Sequence, residues 1–328
     1  MKAVGERKSP QVLKMEEINM KTKRIVTLGL VVVMSTAALL AGCGNNDAGS
    51  NAGTGSAAGE VQQAGGPSGD ISVISREDGS GTRSAFVELI GVEQKNEAGE
   101  KIDYTTLAAE ITNSTAVMMT TVEGNQNAIG YISLGSLGDN VKAISVDGVA
   151  PSADTVKDGS YPVARPFNIV YNEAALDDVA KDFIAYIMSA EGQAIVEEEG
   201  YVSQGNNGAY EAATVTGNLT VGGSSSVTPV MEKLAESYET IHPDVVIEVQ
   251  MTDSTTGVTS AAEGVCDIGM ASRAIKEEEK ALGLTNLAIA MDGIAVIVNN
   301  SNAINDLTSE QIKDIYMGNV YTWEEVAN

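Results

Sequence analysis

The run Ser75-Arg76-Glu77-Asp78-Gly79-Ser80-Gly81-Thr82-Arg83 places a guanidinium beside small hydroxyl residues and glycines. It follows an apolar, strand-like stretch at residues 71–74 and opens an amphipathic pattern carrying Phe86, Val87, Leu89 and Ile90. The first turn of a helix leaves backbone N–H groups without intrahelical partners, and the helix dipole adds partial positive charge there. Next to a fixed Arg, such a turn can receive a tetrahedral oxyanion. Arg76, Ser80, Gly81 and Thr82 are the candidate contacts. The plain alternative is an ordinarily capped helix with a surface Arg, since Ser and Thr are common caps.

Two more hydroxyl-rich helix starts occur. Gly222-Gly223-Ser224-Ser225-Ser226-Val227-Thr228-Pro229 follows a short apolar run at residues 219–221, and Pro229 suits a first helical turn. Glycine there permits close backbone approach, while Ser225 and Ser226 offer hydroxyl and N–H donors; a flexible serine turn is the alternative. Asp253-Ser254-Thr255-Thr256-Gly257 precedes a short helical pattern at residues 258–263, with Ser254 as its best donor. Asp267 stands in the apolar run Val265-Cys266-Asp267-Ile268-Gly269-Met270. A carboxylate on a buried strand needs a partner, either a basic side chain such as Arg273 or a ligand proton. In the second case Asp267 would accept a hydrogen bond from HPO4²⁻ or H2PO4⁻ and repel sulfate, which has no proton to give.

These turns need strands and helices to hold them. Strand-like runs fall at residues 71–74, 128–132, 141–146, 167–171, 219–222, 245–250, 267–270 and 294–298, and helical patterns at 179–198, 231–241 and 309–316. The alternation predicts α/β lobes with mainly parallel sheets, whose ligands sit at the carboxyl ends of strands. The polar tract at residues 203–216 reads as a linker or a long surface loop.

The ends and the charge narrow the class. Residues 1–42 read as a signal peptide: Lys21, Lys23 and Arg24 precede an apolar stretch at residues 25–40, and Leu40-Ala41-Gly42-Cys43 forms a lipobox with Cys43 as the acylated residue. A single membrane-spanning helix is the alternative. Met20 directly precedes the basic cluster and could be the true start. Residues 43–68, rich in Gly, Ala and Ser, read as a flexible tether. Cys43 and Cys266 are the only two cysteines, so the mature chain has no intrachain disulfide. Net charge is −25, and the first 42 residues hold seven Lys/Arg against three Asp/Glu, leaving −29 on the rest. That field repels nucleic acid and anionic lipid headgroups. An anion must then be held by local dipoles and one Arg, which is possible because salt screens distant charges over about 8–10 Å.

Together these motifs resemble the phosphate-binding lipoproteins of ABC phosphate importers. The likeness covers nearly all of residues 69–328 and extends to Ala128-Ile129-Gly130-Tyr131, Arg165-Pro166-Phe167 and Ser189-Ala190-Glu191-Gly192-Gln193. It implies an α/β, two-lobed periplasmic-binding-protein-like (type II) fold, each lobe a mixed, mainly parallel sheet flanked by helices, with two crossover strands. Residues 69–158 plus 289–328 would form lobe II and residues 159–288 lobe I. The family's ligand shell falls on Ser225, Ser254, Asp267, Arg76, Ser80, Gly81 and Thr82, with one position of latitude among the serines at 224–226 that keeps Ser226 a candidate.

The resemblance further implies a monomer that binds inorganic phosphate and meets ABC permease subunits from the outer face of the cell membrane, held by a lipid anchor. The segment order departs from the family: the part spanning residues 219–328 comes first there. A circular permutation accounts for this, with residues 323–326 and 65–69 once forming one loop; a truncated tandem array is the alternative.

Rival functions are a phosphate-sensing or adhesive surface lipoprotein, a binder of another oxyanion such as molybdate or sulfate, and an enzyme. The sequence argues against the last. His242, the sole histidine, stands before Pro243 at a helix end and reads as a surface residue. No His/Cys/Asp cluster suggests a metal site, no cofactor is called for, and Gly79-Ser80-Gly81 lacks nucleophile-elbow spacing.

Overall fold

Capped helices alternate with short buried strands along most of the chain, and the computed structural model describes residues 68–326. The signal peptide, the lipobox with Cys43 and the tether through residue 67 lie outside the described residues. The chain runs through β1 (Ser72–Arg76), α1 (Gly81–Ile90), the hairpin β2 (Glu93–Lys95) and β3 (Lys101–Asp103), β4 (Glu110–Thr112), α2 (Thr115–Glu123), β5 (Ala128–Ser133), β6 (Val141–Val146) and α3 (Ala153–Lys157). It continues with β7 (Ala164–Tyr171), α4 (Asp178–Ile187), α5 (Ala190–Glu198), β8 (Val202–Ser203), β9 (Gly217–Ser224), α6 (Thr228–Ile241), β10 (Val245–Thr252), α7 (Ser254–Glu263), β11 (Ile268–Ala271) and α8 (Glu277–Lys280). The long β12 (Thr285–Asn299) then leads to β13 (Asp306–Leu307), α9 (Ser309–Met317) and α10 (Trp323–Val326).

The main strand order is β10-β9-β11-β7-β12-β5-β1-β4. Parallel pairing holds β10, β9 and β11 together at one end and β5, β1 and β4 at the other. The strands between them are antiparallel. β12 pairs with β7 through Thr285–Gly293, then with β5 and β6 through Ile294–Asn299, so one strand serves both halves. The fold is a two-lobed α/β arrangement. One apolar interior gathers Phe167, Phe183, Tyr186, Leu219, Tyr238 and Ile268; another gathers Phe86, Tyr131, Ile294, Tyr316 and Trp323. Burial of these large side chains is the main stabilising term, at about 25 cal/mol per Å² of apolar surface.

Several expected elements differ in extent. The helix expected over residues 179–198 is two helices, α4 and α5. Ser189 starts the second, its Oγ accepting from Gly192 N–H at 3.1 Å. A Cβ on Gly192 would lie 2.2 Å from the Tyr186 carbonyl oxygen, so the turn between the helices requires glycine. α7 begins at Ser254 rather than 258, because Asp253 caps it by accepting from Thr256 N–H at 2.9 Å.

Residues 203–216 are tied to the surface of lobe I. Asn207 N–H donates to Met188 O, and Ala190 N–H to Gly208 O, both at 2.8 Å. The Tyr210 hydroxyl meets Asp182 Oδ2 at 2.5 Å and His242 Nε2 at 2.6 Å. His242 is therefore not the surface residue its sequence position suggests. It is buried, and its ring lies 4.4 Å from that of Tyr238. At the far end of lobe II the two ends of the described chain meet. Ile71 N–H donates to Tyr321 O at 2.7 Å, and Trp323 N–H to Gly69 O at 3.1 Å. Among the described residues no helix is long and apolar enough to cross a membrane.

Candidate anion-binding site

Arg76 ends β1, and its backbone is fixed at both its N–H and its carbonyl. Its N–H donates to the Tyr131 hydroxyl at 3.1 Å, its carbonyl accepts from Arg83 Nη1 at 2.8 Å, and Ser75 Oγ shares a 2.8 Å hydrogen bond with Tyr131. Tyr131 is held by Phe86, stacked at 4.0 Å, and burial pushes its phenol up to about 12, so it stays protonated. The Arg76 guanidinium is buried. Nε and Nη2 fork onto Glu77 at 2.8 and 2.7 Å, and Nη2 also donates to Ser225 Oγ at 3.1 Å.

Four helix starts are linked through their hydroxyls beside this guanidinium. α1 and α2 come from lobe II, α7 and the turn before α6 from lobe I. Thr82 Oγ1 lies 2.8 Å from Ser226 Oγ. Thr115 Oγ1 lies 3.4 Å from Ser225 Oγ and 3.3 Å from Ser226 Oγ. Ser224 Oγ donates to Ser272 Oγ at 2.8 Å, and Ser272 N–H donates to Ser254 Oγ at 3.0 Å. Thr255 N–H reaches across to Gly79 O at 3.2 Å. All of these hydroxyls except that of Thr255 belong to buried residues.

Backbone proximity explains the glycines. A Cβ on Gly81 would stand 2.3 Å from Ser254 Oγ and 2.7 Å from Ser272 Oγ, so α1 meets lobe I edge-on at its bare first turn. First-turn N–H groups lie outside the i→i−4 ladder and point along the helix axis. Their dipoles, the hydroxyls and one Arg make a donor-rich, water-poor locus for a small anion, where electrostatic attraction is strong. Ser80 serves first as the α1 cap, its Oγ accepting from Arg83 N–H at 3.2 Å.

The PBP superfamily domain matches residues 4–191 and 208–328. The chain belongs to the PBP superfamily. Within it, the chain is 46% identical over 308 residues to "Phosphate-binding protein PstS 2" of Streptococcus agalactiae, covering 94% of this chain and 100% of that protein. It is 42% identical over 308 residues to the protein of the same name from Streptococcus pneumoniae, with the same two coverages. The crystal structure of a phosphate-binding protein of a phosphate ABC transporter from Streptococcus pneumoniae TIGR4 superposes with a TM-score of 0.63 at 45% identity, covering 79% of this chain and 100% of that one.

In this PBP-superfamily chain, seven of the eight candidate contacts meet at the lobe interface: Arg76, Ser80, Gly81, Thr82, Ser225, Ser226 and Ser254. Asp267 does not. It is exposed at the start of β11, where its Oδ2 accepts from Thr220 N–H at 2.8 Å beside Asn172 and Gly264. Chain direction carries it away from the site, because the carboxyl end of β11 leads into Ser272 at the hydroxyl cluster. Asp267→Asn should accordingly leave phosphate affinity and its preference over sulfate within about twofold of wild type, since an exposed carboxylate contributes little. Competition titration measures both.

Thr115 and Ser272 were not singled out in the sequence, and Ser224 stood only within the latitude among the serines at 224–226. Thr115 had a usable signal, since Asn113-Ser114-Thr115 opens α2 and Ser114 caps it by accepting from Val117 N–H at 3.2 Å. Ser272 had one too, standing just past the carboxyl end of β11. The Glu77 carboxylate, bonded to the cluster's guanidinium, is occupied by Arg76.

Proposed function

We propose that this chain captures inorganic phosphate between its lobes and delivers it to the permease of an ABC importer. In this reading it is a monomeric, non-enzymatic solute-binding protein, anchored through acylated Cys43 on the extracytoplasmic face of the membrane. The observation that carries the reading is the meeting of Arg76 and Thr82 from one lobe with Ser225, Ser226 and Ser254 from the other. The names of the streptococcal relatives support it. A ligand bridging both lobes stabilises the closed arrangement by its differential affinity for it. The sole histidine supports a non-enzymatic role, because His242 is bound to Tyr210 and Asp182, outside the hydroxyl cluster.

The position of Asp267 favours a second ligand reading, an oxyanion such as sulfate or molybdate. With Asp267 away from the cluster, the ligand's proton must be accepted by a hydroxyl oxygen, since Ser and Thr both donate and accept. Calorimetric titration with phosphate, sulfate and molybdate separates the readings. Phosphate should bind at least about tenfold more tightly than either rival, a difference of about 1.4 kcal/mol. Equal affinity, or no heat with phosphate, would refute the phosphate reading.

We also read the segment order as a circular permutation. The adjacency of residues 69–71 and 321–323 supports it, as does the docking of residues 203–216 onto lobe I.

A further inference from the structure

The buried pair Arg165–Asp292 belongs to neither the hydroxyl cluster nor the apolar interior. The two residues face each other where β7 and β12 pair, close to the point at which β12 passes from lobe I to lobe II. Both are nearly inaccessible, at 2% and 1% exposure. Asp292 Oδ2 accepts from Arg165 Nη2 at 3.1 Å and from Nε at 3.3 Å. Its Oδ1 accepts from Ser133 Oγ at 3.0 Å and from Leu134 N–H at 3.1 Å, both on lobe II. The third arm of the guanidinium turns the other way, Nη1 donating to the Ser272 carbonyl at 2.7 Å. Ser272 in turn holds Ser224 and Ser254 through its hydroxyl and its N–H. An unbroken path of hydrogen bonds thus joins Ser133 and Leu134, at the end of β5 in lobe II, to the lobe I wall of the candidate site.

We propose that Arg165 is a positioning residue for the anion site, held by Asp292 so that its Nη1 fixes the Ser272 peptide and thereby the Ser224 and Ser254 hydroxyls. The proposal rests on reading that site as a phosphate receptor. A buried ion pair costs desolvation that Coulomb attraction only partly returns, so stability alone is weak reason to find one here. The surroundings are also polar: the buried Tyr201 phenol stands beside Ser133 and Ser136, and its ring packs against the Gly135 backbone. The pair is bonded on every side, and the polar groups bordering it can change partners when the lobes move. Asp292 faces Arg165, the Ser133 hydroxyl, the amides of Leu134 and Gly135, and the phenols of Tyr161 and Tyr201. Burial pushes its carboxyl up to about 6, against the pull of Arg165.

The test uses the full chain, with phosphate titrations and amide hydrogen exchange on wild type, Arg165→Lys and Asp292→Asn. Lys carries the charge without the fork, and cannot hold Asp292 and the Ser272 carbonyl together. Arg165→Lys should bind phosphate at least about tenfold more weakly and speed exchange locally across residues 268–274. Asp292→Asn keeps the acceptor for Ser133 and Leu134 but removes the charge. Its affinity should differ from wild type at about pH 8 and converge with it at about pH 5, where the wild-type carboxyl is protonated as well. Unchanged affinity and exchange in Arg165→Lys would overturn the proposal, as would exchange accelerated over the whole chain or wild-type affinity at about pH 8 in Asp292→Asn. If wild type gave no heat with phosphate, the phosphate reading would fall, while exchange at residues 268–274 would still decide whether Arg165 holds Ser272.

Discussion

Arg76→Ala is expected to weaken phosphate binding by more than about 100-fold, or roughly 3 kcal/mol, because truncating a buried, charge-assisted donor leaves the anion's charge uncompensated. The Arg76 guanidinium is bonded directly to a hydroxyl of the cluster, through Ser225 at 3.1 Å. Its loss would also release Glu77, whose side chain is 23% exposed and can turn to solvent. The melting temperature should therefore change far less than the affinity. Arg76→Lys should recover part of the loss, since it keeps the charge but not the planar fork that meets Glu77 and an oxyanion at once. Titration of the two variants beside wild type, with a thermal melt of each, checks the expectation. An Arg76→Ala protein within fivefold of wild type would place the anion elsewhere.

The second large effect is on stability. Gly223→Ala should cost about 3 kcal/mol or more, lowering the melting temperature by roughly 6–12 °C for a chain of this size. Gly223 has φ +140°, and an added Cβ would stand 2.4 Å from Met270 O, 2.8 Å from Met270 N and 3.1 Å from Gly257 Cα. Every one of these neighbours is backbone on β11 or α7, so no side-chain rotation relieves the clash. Gly257 presents the reciprocal contact, its Cβ position lying 2.7 Å from Gly223 Cα. The two glycines let α7 press against β9 closely enough to bring Ser254 beside Ser224 and Ser272. Gly99→Ala is the contrasting case, since its surroundings are open and only its φ of +82° opposes a side chain. A thermal melt in which Gly223→Ala matched Gly99→Ala would show that the close approach is not a constraint.

Most of the site was legible because it is built from local signals. A helix start with Ser, Thr and Gly announces its donors within a few residues, and α1, α6 and α7 all begin where such clusters stand. The alternation of apolar runs gave the strands for the same reason, since a buried strand needs little beyond its own side chains to be recognised. Strand direction was the step that failed at Asp267. A carboxylate on an apolar run looks equally suited to either end, yet the chain enters β11 at Asp267 and leaves it at Ser272. In parallel sheets the leaving end faces the ligand. Thr115 escaped notice because only the three-residue β4 precedes its helix, too short to register as a strand.

The Arg165–Asp292 pair was illegible for a deeper reason. Its partners stand 127 residues apart, and their meeting depends on the register of two long strands that no local pattern sets. His242 belongs with them. Its burial is decided by Tyr210, from a tract whose polar composition gave no sign of docking.

Whether groups from both lobes hold one small anion is decided by a crystal structure of the protein grown with inorganic phosphate. A single phosphate should lie within hydrogen-bonding distance, about 2.7–3.2 Å, of Arg76, Thr82, Ser225 and Ser254 together. A phosphate bound to one lobe alone, or bound away from Arg76, would contradict a two-lobe site.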